Sequence, residues 1–181
     1  MKFHPTTLIG SYWIELEPYS DDRGWFTRYF CEKEFQEIGH QKHWVQINQS
    51  VTAGPGTIRG LHFQKSPFSE IKLIRCIEGS VYDVIVDLRE DSPTYLKWFS
   101  LELSKDNLKM IYVPEGFAHG FQSLSFNSTL LYHHSEFYNQ LAEGGIRYDD
   151  PTLKIPWPLP VSDISLRDKN HPLIDQSFKG L

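Results

Sequence analysis

Read as an extended segment, Arg59-Gly60-Leu61-His62-Phe63-Gln64 puts Arg59, Leu61 and Phe63 on one face and Gly60, His62 and Gln64 on the other. An imidazole on such a face is a candidate general base, because its unperturbed pKa, roughly 6.5, lies nearest neutrality. Past a proline-containing turn, Lys72 opens a strand-like run that could lie beside this segment and bring a cation to the base. Val113-Pro114-Glu115-Gly116-Phe117-Ala118-His119-Gly120-Phe121 reads as a turn feeding a strand with His119 at its beginning. His62 alone would read as a histidine hydrogen-bonded in a sheet wall. Arg59, Lys72 and His119 shift that balance, since polar groups on core-type strands are costly to bury unless a ligand or a pairing network uses them. Metal binding is the competing use of two strand histidines; Gln64 argues against it, because a neutral amide is a poor ligand for the transition metals that imidazole sites take.

Strands must position these groups. Rings make up 14% of the chain and favour pleated surfaces. From Lys72 to Ile77 and from Val81 to Leu88 the chain is rich in β-branched residues, and Glu78-Gly79 between them predicts a hairpin. In the second run Asp83 and Asp87 share one face and Val84 and Val86 the other, which predicts a half-buried strand with its acids at a wet face or an interface. Further strand-like runs occur at Trp98 to Leu103, Met110 to Val113, Gly120 to Leu124 and Thr129 to Ser135, at the spacing of sandwiches and barrels. Glu32 to Ile38, closed by Gly39, reads as a helix. After Tyr148 the prolines make the chain irregular, but Ile155 and Trp157 predict that it packs onto the rest. Two strand-borne histidine motifs resemble the layout of cupins. The expected architecture is therefore all-β: a cupin-type jelly-roll β-barrel with a few short helices and an irregular C-terminal segment packed on it, one domain over residues 1–181.

Eighteen basic residues against twenty-three acidic ones give a net charge of -5, no excess with which to bind nucleic acid or an anionic membrane. The start MKFHPTTLIG lacks the pattern of a secretory signal, and no run of about 18 apolar residues occurs, so a soluble cytoplasmic protein is expected. Cys31 and Cys76, far apart and with no second pair, read as small thiols rather than a disulfide or zinc framework.

Ser20-Asp21-Asp22-Arg23-Gly24-Trp25-Phe26, Val45-Gln46-Ile47-Asn48-Gln49-Ser50 and Ile58-Arg59-Gly60-Leu61-His62-Phe63-Gln64 stand in that order. They are followed by Lys72-Leu73-Ile74-Arg75-Cys76, Asp83-Val84-Ile85-Val86-Asp87-Leu88-Arg89, Pro114-Glu115-Gly116-Phe117-Ala118-His119-Gly120-Phe121 and Ile155-Pro156-Trp157-Pro158. Together, from about Tyr19 to about Pro172, they resemble the dTDP-4-dehydrorhamnose 3,5-epimerase family.

The resemblance implies an enzyme without metal or organic cofactor that inverts the carbons flanking the ketone of a nucleotide-linked 4-keto-6-deoxyhexose. Such chemistry needs a base for an α-proton, a group to stabilise the enolate oxygen, and an acid on the opposite face. Carried over, His62 is the base, Asp168 its partner, Lys72 the enolate stabiliser and Tyr132 the proton donor. Arg59 looks like a diphosphate clamp, for which a guanidinium fork is suited. Gln46, Asn48, His119, Tyr138, Glu143 and Arg167 match substrate-binding positions. Arg23, Phe26 and Arg28 do so too, Arg23 and Phe26 by reaching the other subunit's pocket, which implies a homodimer. Arg28 stands where the family usually has an acid, and Ile47 interrupts Gln46-Ile47-Asn48, so CDP joins dTDP as the expected nucleotide. His133-His134 departs from the family after Tyr132 and reads either as the solvated end of a strand or as neighbours that tune Tyr132. A single-site 3- or 5-epimerase is the alternative, followed by a non-catalytic nucleotide-sugar-binding cupin and by a metal-dependent cupin oxygenase.

Overall fold

Short apolar and alternating runs fold into strands throughout the computed structural model, which describes residues 1–181. In chain order they are β1 (Lys2–Pro5), β2 (Tyr12–Glu15), β3 (Tyr19–Asp21), β4 (Gly24–Phe26), α1 (Glu32–Phe35), β5 (Gln46–Thr52), β6 (Thr57–Gln64) and β7 (Lys72–Glu78). Then come β8 (Ser80–Asp87), β9 (Trp98–Ser104), β10 (Lys109–Val113), β11 (Phe117–Ser123), β12 (Ser128–His134), β13 (Glu143–Gly145), β14 (Asp163–Ile164) and α2 (Leu166–Lys169). One sheet runs β1-β2-β10-β7-β12-β5; the other runs β13-β6-β11-β8-β9, with β14 added in parallel to β6. The β3-β4 hairpin stands apart. The architecture is the expected all-β jelly roll, its two ladders facing each other rather than closing into one barrel.

Three apolar layers hold it. Ile74, Ile111 and Leu130 of the first sheet meet Val81, Ile85, Leu103, Phe117 and Phe121 of the second in the space between them. The outside of the second sheet is covered by Ile146, Leu153 and Ile155, so the irregular C-terminal segment packs as its anchors predicted. The outside of the first sheet is covered by Phe35, with Ile38 and Trp44 against it. The helix is split: α1 runs into a 3-10 turn over Gln36–Ile38, and Gly39, at φ +80°, stops it where expected.

The layering corrects two expectations. β7 and β8 do not form a hairpin: β7 pairs with β10 and β12, β8 with β9 and β11, and the chain changes sheets at Gly79. Asp83 and Asp87 are not at a wet face either, since both are fully buried. They share the inter-sheet face with Val81 and Ile85, while Val84 and Val86 are buried under the C-terminal segment. Asp87 is satisfied inside by Arg89, Ser92 and Thr94, whereas Asp83 meets His119 Nε2 at 2.8 Å through Oδ2 and leaves Oδ1 buried without a partner.

Simple alternation also fails along β6. His119 pairs with His62 but Phe121 pairs with Arg59, so Gly120 alone faces Gly60 and Leu61. This bulge turns Arg59 to the same side as His62 and Gln64. Glycine is required at the crossing: Gly60 has φ +125°, and a Cβ there would lie 2.5 Å from the Gly120 Cα. His119 is the third residue of its strand, which begins at Phe117.

Candidate active site

The sheets diverge around a cavity of about 500 Å³. β6 and β11 bring Arg59, His62, Gln64 and His119 to it; β5, β7 and β12 of the facing sheet bring Gln46, Asn48, Lys72 and Tyr132. Tyr138 and Glu143 come from the chain after β12, Arg167 and Asp168 from α2. Lys72 thus approaches from across the interior, not from a strand beside β6, and its Nζ lies 3.4 Å from the His62 carbonyl oxygen.

His62 Nε2 lies 2.8 Å from Asp168 Oδ1, and the Gly60 N–H donates to Asp168 Oδ2 at 3.0 Å. Asp168 is almost fully buried. Burial alone would raise its pKa, but the hydrogen bond and charge of His62, with the Gly60 amide, outweigh that and hold the carboxyl far below its ordinary range. An ionised partner at 2.8 Å puts the imidazole proton on Nε2 and leaves Nδ1 with the lone pair. Ser165 caps α2 by accepting from the Asp168 N–H at 3.0 Å, which fixes where the carboxylate starts from.

On the opposite wall the Tyr132 hydroxyl lies 3.0 Å from Ser50 Oγ, with the His119 ring edge-on and the His134 ring stacked. Burial pushes the Tyr132 phenol above its usual pKa, the Asp83 charge adding to the effect against the Ser50 hydrogen bond, so the group keeps its proton. Gln64 is spent on structure: its amide donates to the Phe68 and Phe137 carbonyls, and its oxygen accepts from the Asn139 N–H. At the mouth, Arg167 Nη1 donates to both Glu143 oxygens at 3.0 and 3.1 Å, and the Tyr138 hydroxyl donates to Glu143 at 3.0 Å. Arg59, anchored on Thr52 Oγ1 and the Val51 carbonyl, stays exposed beside it.

Three expected residues are not brought here within one chain. Arg23 clasps Asp21 on the β3-β4 hairpin with its side chain 89% exposed, and Phe26 is exposed on the same hairpin. Arg28 is paired with Glu34 at 2.5 Å outside the cavity. Of the two readings of His133-His134, the solvated strand end fails for His134, which is buried in the cavity wall with its ring stacked on Tyr132, while half-buried His133 packs on the other side against Tyr29 and Trp44. The two-residue period from Tyr132 to His134 was the available signal.

Glu70 is the other group missed. It accepts from Lys72 Nζ at 3.1 Å and His134 Nδ1 at 2.6 Å, all three side chains nearly buried, and the Asn48 amide lies 3.3 Å from His134 Nε2. Burial would raise the Glu70 pKa; the bonds and charges of His134 and Lys72 prevail and keep it low. His171, also unanticipated, lies behind the base pair, its ring 5.6 Å from that of His62.

Residues 5–176 match the family model of dTDP-4-dehydrorhamnose 3,5-epimerase. The enzyme of that name from Methanothermobacter thermautotrophicus is 43% identical over 172 residues, 93% of this chain and 92% of that protein. The chain belongs to the dTDP-4-dehydrorhamnose 3,5-epimerase family. It is an isomerase of the carbohydrate epimerase class. The crystal structure of the Bacillus anthracis family member with TDP and pyrophosphate bound superposes with a TM-score of 0.92 at 41% identity, covering 96% of this chain and 99% of that one. A 3'-monoepimerase from Streptomyces bikiniensis, in complex with dTDP-quinovose, superposes with a TM-score of 0.86 at 32% identity, covering 94% and 86%.

Proposed function

We propose that this cavity inverts both carbons flanking the ketone of dTDP-4-keto-6-deoxyglucose. The supporting observation is that His62 and Tyr132, on facing sheets, border one cavity that Lys72 also lines. His62 Nδ1 takes the α-proton, and the Nε2–H held by Asp168 supports the imidazolium that results. Negative charge moves to the ketone oxygen, where the Lys72 ammonium meets it. Tyr132 then gives its proton to the carbon from the far side; once His62 has released the abstracted proton to solvent and the Tyr132 phenolate has regained one from it, the sequence is repeated at the second carbon. Arg59 takes the diphosphate. Gln46, Asn48, His119, Tyr138, Glu143 and Arg167 bind the remaining polar edges of the substrate.

The working unit is a homodimer in the cytoplasm, residues 1–181 forming one domain. The β3-β4 hairpin exposes Tyr19, Trp25 and Phe26, and the edge strand β5 exposes Ile47 and Val51, apolar surface that suits a second copy. Arg23 and Phe26 then act in the partner's cavity. No helix is long and apolar enough to cross a membrane.

Proton NMR of the dTDP substrate in deuterium oxide tests the reading. Loss of the signals at carbons 3 and 5 supports double inversion; loss of one makes the chain a single-site enzyme like its monoepimerase relative, and loss of neither overturns the assignment. For the nucleotide, calorimetry is expected to find dTDP bound at least about tenfold tighter than CDP. Arg28, the reason to consider CDP, is occupied by Glu34. Equal or tighter binding of CDP would restore that alternative.

Glu70 acts through Lys72 as a positioning residue. Glu70→Gln is expected to lower kcat about tenfold, near 1.4 kcal/mol of transition-state stabilisation, with KM changed less than about twofold. Glu70→Asp should recover part of the loss. A KM effect with unchanged kcat would assign Glu70 to substrate binding instead.

A further inference from the structure

We propose that His62, Asp168 and His171 form a zinc-binding site whose occupation switches the base off. His62 Nε2 and Asp168 Oδ1 are 2.8 Å apart, and His171 Nε2 is 3.7 Å from the same oxygen. All three ligand atoms lie within 4.8 Å of one another. Two imidazole nitrogens and one carboxylate oxygen are the donor set of three-ligand zinc sites that leave a fourth position open. Bonds of about 2.0–2.2 Å in a tetrahedron put donors roughly 3.3 Å apart, so small ring rotations suffice to close the site. Magnesium and calcium prefer all-oxygen shells and fit poorly.

A second observation points the same way. His171 Nε2 is buried and has no hydrogen-bond partner, a costly state for a polar atom unless something else uses it. The ring is also held in place. It packs on Gly145, which pairs with His62 in register, and a Cβ at Gly145 would lie 2.3 Å from Nε2. A second cavity of about 580 Å³, bordered by β13 and the chain from His171 to Leu181 and sharing Phe63, Glu143 and Arg167 with the first, reaches the His171 ring and gives an ion a second approach to it.

The consequence rests on the catalytic role of His62. A neutral imidazole carries one N–H. Metal on Nε2 releases or relocates that proton, and the remaining proton sits on Nδ1, the nitrogen that must accept from the substrate. Asp168 is taken up by the same ion. Zinc binding and proton abstraction therefore exclude each other, with His171 contributing to the first only.

The test uses the full chain, freed of metal with a chelator. Zinc binding is measured by competition with a chromogenic chelator, and epimerisation is followed in parallel with added zinc or magnesium. The parent is expected to bind one zinc per chain, to lose at least about tenfold in turnover when saturated, to recover on chelation and to ignore magnesium. His171→Ala and His171→Asn should keep the metal-free turnover within about twofold and need at least tenfold more zinc for both binding and inhibition. Two variants guard against one that fails to fold. Equal zinc affinity in parent and both variants, or a parent that zinc does not inhibit while the metal-free enzyme turns over, overturns the proposal. An inactive metal-free parent would instead count against the epimerase reading, and the binding measurement would still decide the site.

Discussion

His62→Asn is expected to lower deuterium incorporation at carbons 3 and 5 together by about 10³-fold or more. Positioned acid–base groups contribute roughly 10² to 10⁴ in rate, and this residue is the group placed to begin the reaction at each carbon. Asparagine suits the test because its amide stands where Nδ1 stood and removes the basic nitrogen; it falls short of Asp168, which keeps the Gly60 N–H as a partner. The effect on exchange is then a loss of basicity, and a cooperative melting transition retained at a lowered temperature alongside the lost exchange would show that the fold survives. Were exchange to stop at one carbon only, a second base would be needed. Parent-like activity would refute the proton-abstraction reading altogether. Asp168 adds a stability term with a definite sign. Its folded-state pKa lies below the unfolded one, so its contribution is present above the ordinary carboxylate range near 4 and is lost as pH falls through and below it. His62→Asn removes the main cause of that depression, and the variant should lose less stability on acidification than the parent.

How much of this could be read in the sequence differs between layers. Strands covered on both sides were legible where apolar runs are long, as at β7 and β8, but their pairing was not. Glu78-Gly79 carries the local mark of a hairpin, and only the non-local partners of each strand reveal that the chain changes sheets there. Period-two reasoning placed Asp83 and Asp87 on one face correctly and their environment wrongly, because a strand in a layered fold has no wet side for acids to choose. It also separated Arg59 from His62, since a bulge between two glycines leaves no trace in the alternation. The strands β1 to β5 are short or exposed and gave no periodic signal. Among site residues, those carried by motif were brought to one cavity, with Arg23, Phe26 and Arg28 the exceptions. Glu70, His134 and His171 escaped because each is defined by what it touches across the fold rather than by its neighbours in the chain.

The second large effect separates the two halves of the reaction. Tyr132→Phe is expected to leave α-proton wash-out within about threefold of the parent while lowering formation of the epimerised product about 10²-fold. Removal of the proton needs His62 on its wall, with the Lys72 ammonium reaching in from the facing sheet to the ketone oxygen; return of a proton to the opposite face needs a donor on that facing wall, and Tyr132 is the phenol there. Without it His62 can only give the proton back where it came from, so the substrate exchanges with solvent and keeps its configuration. The ring remains, and the structural loss is the contact with Ser50 Oγ, about 1 kcal/mol. Charge and burial sharpen the expectation. Because both raise the phenol's pKa, the donor stays protonated beyond the usual phenol range, and any alkaline loss of product formation in the parent below about pH 10 must come from another group. Equal loss of wash-out and of product would place Tyr132 in the first step rather than the second, and the donor would then have to be sought among the residues beside it, His119 and His134.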